Sequence, residues 1–111
     1  MQPADNKRRF PRIPAEHAVL VRASGEGAPE GFAKTRDVGL GGCMFVNPVA
    51  FGEGAPVELL ISVNLAVVRV RGRVVYELPA DGGGFEVGVE FVEIDEGDRR
   101  VLETLFEPPA V

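Results

Sequence analysis

Val67-Val68-Arg69-Val70-Arg71-Gly72-Arg73-Val74-Val75-Tyr76-Glu77 is the stretch that decides the fold. Val68, Val70, Val74 and Tyr76 fall on one side with Gly72, and Arg69, Arg71, Arg73, Val75 and Glu77 fall on the other. A period of two is the mark of a strand with one buried and one solvated face. Asp81-Gly82-Gly83-Gly84 follows as a turn and leads into residues 85–91, where Phe85, Val87, Val89 and Phe91 alternate with Glu86, Gly88 and Glu90. Two alternating runs joined by a glycine cluster predict an antiparallel hairpin.

The same pattern extends upstream. Asn64-Leu65 marks a tight turn before residue 67, and residues 57–63 form an apolar strand entered through Phe51-Gly52-Glu53-Gly54-Ala55-Pro56. Residues 43–47 and 31–38 are short strands with a glycine cluster between them. Residues 24–31 form a loop by composition. In residues 16–22, His17, Val19 and Val21 share one face while Ala18, Leu20 and Arg22 share the other. Many short strands separated by Gly- and Pro-rich turns predict a mainly β domain, a small antiparallel barrel or a sandwich. Downstream the period changes. Asp95 is placed to cap a helix with Glu96 and Asp98 in its first turn. Val101, Leu102, Leu105 and Phe106 form its apolar stripe, and Pro108 and Pro109 end it. This helix is expected to cover the barrel.

Composition sets the limits. The chain has 111 residues, enough for one domain with its own core, and 45% of them are hydrophobic. The formal net charge of -5 argues against bulk binding to duplex nucleic acid, and the 7% aromatic content argues against a single-strand binder. No stretch is long and apolar enough to span a bilayer, and the N-terminus lacks the apolar run of a signal peptide, so a cytoplasmic location is expected. One cysteine excludes an intramolecular disulfide, and one cysteine with one histidine supplies no ordinary zinc site. Cys43 reads as a small core residue and His17 as structural. Nothing resembles a nucleophile elbow or a phosphate-binding loop, so no enzymatic activity and no cofactor are expected.

Against the acidic background, Lys7-Arg8-Arg9-Phe10-Pro11-Arg12 concentrates four of the twelve Lys and Arg residues. Pro11 and Pro14 make the run extended or turn-like, which puts positions 8 and 12 on one side, about 13 Å apart unless the chain bends. By itself the run reads as a solubilising tail. A second element, Asp37-Val38-Gly39-Leu40-Gly41-Gly42, changes that reading.

Arg8-x-x-x-Arg12, Asp37-x-Gly39-x-x-Gly42, Gly88-Val89-Glu90-Phe91 and the short helix that begins at Asp95, in this order and at these intervals, resemble a PilZ domain over residues 8–106. The resemblance implies a six-stranded antiparallel barrel of the split-barrel type with one C-terminal α-helix. It also implies a receptor for the bacterial second messenger cyclic di-GMP, with Arg8, Arg9, Arg12, Asp37, Gly39 and Gly42 as ligand contacts. The expected organisation is a disordered tail at residues 1–7, a flexible arginine arm at residues 8–14 of the domain, and a tail at residues 107–111. Ordering of the arm over the ligand would signal to an unidentified protein partner. The alternative is a family member that binds no nucleotide and works through protein contacts in pilus or motility machinery.

The residue types suit the expected ligand. An arginine fork takes guanine O6 and N7 in a bidentate pair, clamps a phosphate, or stacks flat on a purine. Asp37 is an acceptor-only carboxylate that matches the N–H donors on the Watson–Crick edge of guanine, although an Asp before a glycine-rich loop also serves as a turn cap. Gly41 and Gly42 allow close backbone approach and positive φ, and serve equally as a hairpin bend. The family's serine is replaced by Gly39, which removes one neutral hydrogen bond of about 0.5–1.5 kcal/mol, roughly two- to twelvefold in affinity. Arg69, Arg71 and Arg73 are expected on a solvated outer face; the other reading is a basic extension of the ligand surface.

Overall fold

The computed structural model describes residues 12–23 and 30–106. Seven strands run in chain order: β1 (Arg12–Pro14), β2 (Ala18–Ala23), β3 (Glu30–Gly39), β4 (Gly42–Asn47), β5 (Pro56–Val63), β6 (Ala66–Pro79) and β7 (Phe85–Glu93). Helix α1 (Glu96–Glu103) follows, with a 3-10 turn at Thr104–Phe106. β2 to β7 close into a six-stranded antiparallel barrel in the order β3-β2-β5-β6-β7-β4, and β4 pairs back onto β3. Barrel and sandwich were both open from the alternation alone, and closure through the β3–β4 ladder decides for the barrel.

Inward-facing residues fill the interior. Val19, Val21, Val38, Phe45, Leu59, Ile61, Val63, Val68, Val70, Val87 and Val89 are all fully buried, and Cys43 packs among them as a small apolar residue. β-branched Val and Ile dominate because they fit a pleated surface at little rotamer cost. α1 packs on β6 and drops Leu102 into the same core. Its start is fixed by Asp95, whose extended backbone and Oδ1, accepting from the Asp98 amide at 2.9 Å, make an N-cap. Its far end is tied to the β5–β6 hairpin. Asn64 and Leu65 take φ of 48° and 69° at that turn, and Asn64 Nδ2 donates to Thr104 Oγ1 at 2.9 Å. Among the described residues no helix is long and apolar enough to cross a membrane.

β1 and β3 depart from the sequence reading. No strand was read at residues 12–14, which were assigned to the arm, and Arg12–Pro14 pairs with β3 in the register Arg12–Gly39, Ile13–Val38 and Pro14–Asp37. β4 already occupies one edge of β3 at Asp37 and Val38, so β1 takes the other edge, in line with β2. Three residues beside prolines carry no strand signal of their own. The pairing comes from the tertiary partner, and the buried Thr35 secures it. The Thr35 hydroxyl donates to Ala15 O at 2.6 Å and accepts from the His17 amide at 2.9 Å. The Thr35 amide donates to His17 O, and the Ala15 amide to Arg36 O. One side chain thus holds the break between β1 and β2 against β3. His17 is structural, its Nδ1 lying 3.0 Å from Ser62 O.

β6 departs from the sequence reading at one end. Strict alternation put Tyr76 on the core face and Glu77 outside, and the structure reverses both. Val74 pairs with Val89 while Tyr76 pairs with Gly88, which leaves Val75 unpaired as a β-bulge. One extra residue shifts the phase of everything after it. Tyr76 turns to the outer face and Glu77 turns in at the barrel end. There the Glu77 carboxylate accepts from the Phe51 amide at 2.6 Å and the Gly52 amide at 2.9 Å, pinning the β4–β5 connection.

Two predictions follow from these anchors. Glu77→Ala should lower stability by about 1–3 kcal/mol, seen as a lower urea midpoint at unchanged slope; an unmoved midpoint would show that the connection holds itself. Thr35→Val keeps the shape but strips partners from Ala15 O and the His17 amide, again about 1–3 kcal/mol. Amide exchange at Ala15 should accelerate more than at core positions such as Val70; uniform acceleration would mean that Thr35 does not anchor β1 in particular.

Candidate ligand-binding site

A second bulge builds the candidate site. On β3, Thr35 pairs with Phe45 and Asp37 with Met44, so Arg36 is the extra residue between them. Without it, Asp37 would share the inward face with Thr35. With it, Thr35 and Val38 point into the core and the half-buried Asp37 turns outward. The bulges at Arg36 and Val75 therefore aim Asp37 and Tyr76 at the same outer wall. Pro14, Asp37, Met44, Gly88 and Tyr76 stand in direct register across β1, β3, β4, β7 and β6.

A second row lies beside the first. Gly39 pairs with Arg12 on β1, and Gly42 pairs with Glu90 on β7, which pairs in turn with Arg73 on β6. Arg73 donates to Glu90 Oε1 at 2.7 Å. Gly39 and Gly42, both buried, flank the Leu40–Gly41 bend and add no side chain between Asp37 and the Arg73–Glu90 pair. The bend does not use the positive φ open to Gly41 and Gly42. Among the described residues the glycines with positive φ are Gly52, Gly54, Gly83 and Gly84. The bend is instead held from outside, Gly41 O accepting from the Phe91 amide at 2.9 Å. Gly88 is needed for another reason. The Tyr76 ring lies where its Cβ would be, so any side chain there would displace the ring.

The structure thus brings together most of what the sequence set apart. Asp37, Gly39 and Gly42 share one wall, and the β1 ladder places the backbone of Arg12 directly opposite Gly39. Arg8 and Arg9 lie outside the described residues. Gly88-Val89-Glu90-Phe91 forms the far side of the wall through its ladder with residues 41–44. Met44 and Tyr76 were missed as members of this face. For Tyr76 the signal was the doublet Val74-Val75, which breaks strict alternation just ahead of it; for Met44 it was only the position two residues after Gly42.

The β6 arginines do not extend a basic surface. Arg69 meets Glu58 at 3.6 Å, Arg71 meets Glu93 at 3.4 Å, and Arg73 meets Glu90. Chemically, the wall combines an outward carboxylate acceptor, a planar aromatic ring, and glycines that add no side chain of their own. These suit a flat, donor-bearing ring system approached by an arginine-bearing strand. Among the described residues no cluster of three or more His, Cys, Asp or Glu side chains could hold a metal ion.

Comparison with known proteins agrees with this architecture. The Bacillus subtilis inhibitor of motility MotI/DgrA superposes with a TM-score of 0.70 at 18% identity, covering 90% of this chain and 49% of that one. The K. pneumonia MrkH–c-di-GMP complex gives 0.70 at 15% identity, with 90% and 51% covered. The PilZ domain of Escherichia coli YcgR with c-di-GMP gives 0.63 at 13% identity, with 90% and 89% covered. The chain spans about half the length of the first two proteins. No curated protein sequence matches. At these identities the superpositions establish the fold, and the sequence model of the PilZ domain matches residues 6–107. The protein belongs to the PilZ domain family.

Proposed function

We propose that the protein is a cyclic di-GMP receptor whose site is the wall carrying Asp37, Gly39 and Gly42, completed by Arg8, Arg9 and Arg12. The observation that carries the reading is the register of β1 on β3. It sets Arg12 opposite Gly39 and Pro14 opposite Asp37, so the two halves of the motif meet although 25 residues separate Arg12 from Asp37. The c-di-GMP complexes of MrkH and of the YcgR PilZ domain lend support from proteins of the same fold.

In this reading the Asp37 carboxylate accepts from the N–H donors of a guanine edge, and the arginines take guanine O6 and N7 or the phosphodiester anions. The glycines let the ligand approach the backbone, and the Tyr76 ring supplies a flat neighbour for a base. The segment bearing Arg8 and Arg9 closes over the bound ligand from the fixed start of β1. Closure changes the surface offered to a protein partner, which makes ordering of the arm the output signal. No catalytic step is involved.

Calorimetry with cyclic di-GMP should give saturable binding; no heat at high micromolar ligand would overturn the receptor reading in favour of a nucleotide-free adaptor. Arg12→Ala removes a charge-assisted contact of about 1.5–3 kcal/mol and should weaken binding at least tenfold. Gly39→Ser should leave affinity equal or tighten it, because Gly39 is not among the positive-φ glycines and its backbone does not demand glycine. A large loss of affinity in Gly39→Ser would show that the ligand needs the bare backbone there.

A further inference from the structure

The opposite wall of the barrel, outer β3-β2-β5-β6, carries a side-chain grid unrelated to the ligand site. Cross-strand register fixes its rows. The first reads Glu30, Arg22, Glu58, Arg71 and alternates in sign at every strand. Its carboxylates and guanidiniums lie 2.9 Å apart for Arg22–Glu30 and 3.6 Å apart for Arg22–Glu58. The second row reads Phe32, Leu20, Leu60, Arg69. Phe32 is 82% exposed, and Leu20 and Leu60 are half-buried on an outer face where polar residues are the rule. Three adjoining apolar side chains on a solvated sheet face, one of them an exposed aromatic, mark an interaction surface.

The charge pattern specifies the occupant. A two-fold axis parallel to the strands, passing between β2 and β5 in the plane of contact, reverses strand order and keeps each row in place. Under that operation Arg22 meets Glu58 of a second copy, and Glu30 meets its Arg71. In the next row Leu20 meets the second copy's Leu60, and Phe32 meets its Arg69, a cation over an aromatic face. Every charge of the first row finds its opposite and the apolar residues find one another. Isologous contacts require such self-complementarity, which a face of one sign does not have.

We infer that the outer β2–β5 wall is the interface of a symmetric homodimer, with sheets packed face to face. β4 and β7 lie across the barrel from β2 and β5, so the dimer leaves both candidate ligand sites open, facing away from each other.

Light scattering and sedimentation on the ligand-free protein test this independently of nucleotide binding. The wild type should show twice the mass of one chain, and Phe32→Arg, which sets like charges against Arg69 of the second copy at an exposed position, should show the mass of one. Arg22→Glu and Glu58→Arg should each be monomeric alone, because like charges then meet twice across the axis. Mixed in equal amounts they should form a heterodimer, since each substituted residue then meets an opposite charge on the other chain. This mixing also shows that the variants are folded. A wild type with the mass of one chain at every concentration overturns the proposal, as does a Phe32→Arg protein that stays dimeric. A dimeric wild type whose two charge variants fail to pair on mixing overturns the two-fold arrangement.

Discussion

A β-strand alternates its side chains with a period of two, and only an extra, unpaired residue can change which of them face the core. The candidate site depends on that constraint twice. Arg36 on β3 and Val75 on β6 are extra residues, and the side chains that follow them, Asp37 and Tyr76, are turned out of the barrel. The hydrophobic interior loses nothing, because Val38 and Val74 keep their inward positions. A carboxylate and an aromatic ring are thereby placed on one wall from strands at opposite edges of it.

β3 joins the parts of that wall. It carries ladders to β1, β2 and β4, and its bulge falls where β1 gives way to β2. The break between those two strands would leave backbone groups buried without partners, at a cost of about 1–3 kcal/mol each. The Thr35 hydroxyl satisfies Ala15 O and the His17 amide together. A residue with no ligand role in the proposed reading thus sets where the arginine-bearing strand ends. In the proposed readings the candidate ligand wall and the self-complementary wall lie on different sides of the barrel, β4–β7 and β2–β5, which lets the two faces work without steric conflict.

How much of this was legible in the sequence varies with the kind of signal. The β6 alternation up to Val74, the glycine turns and the Asp95 cap are local, and they are present as read. Tyr76 and Glu77 were assigned to the wrong faces because a bulge is decided by the partner strand; the doublet Val74-Val75 hints at it without requiring it. β1 was invisible for a related reason, since its three residues are held by pairing and by Thr35, not by their own propensity. The spacing of Asp37, Gly39 and Gly42 was read together with the arginines only through the motif. Register supplies the physical reason, with Arg12 opposite Gly39. Of the two readings of Gly41 and Gly42, the structure shows the bend, held by the Phe91 amide rather than by a left-handed turn.

Charge decides what the arm must contribute in the proposed reading. Cyclic di-GMP is an anion, and the chain carries a formal net charge of -5. Arg73, the cation beside Gly42, is occupied by Glu90, and Arg69 and Arg71 face carboxylates of their own. The β3–β4 bend presents backbone at Gly39 where the family pattern has a hydroxyl, a difference of about 0.5–1.5 kcal/mol. Charge-assisted arginine contacts outweigh that, at about 1.5–3 kcal/mol each. Attraction for the ligand therefore falls chiefly on the run from Lys7 to Arg12. A wall that holds the anion weakly until the arm arrives makes occupancy and arm closure nearly one event, which is what a receptor needs if closure is the signal.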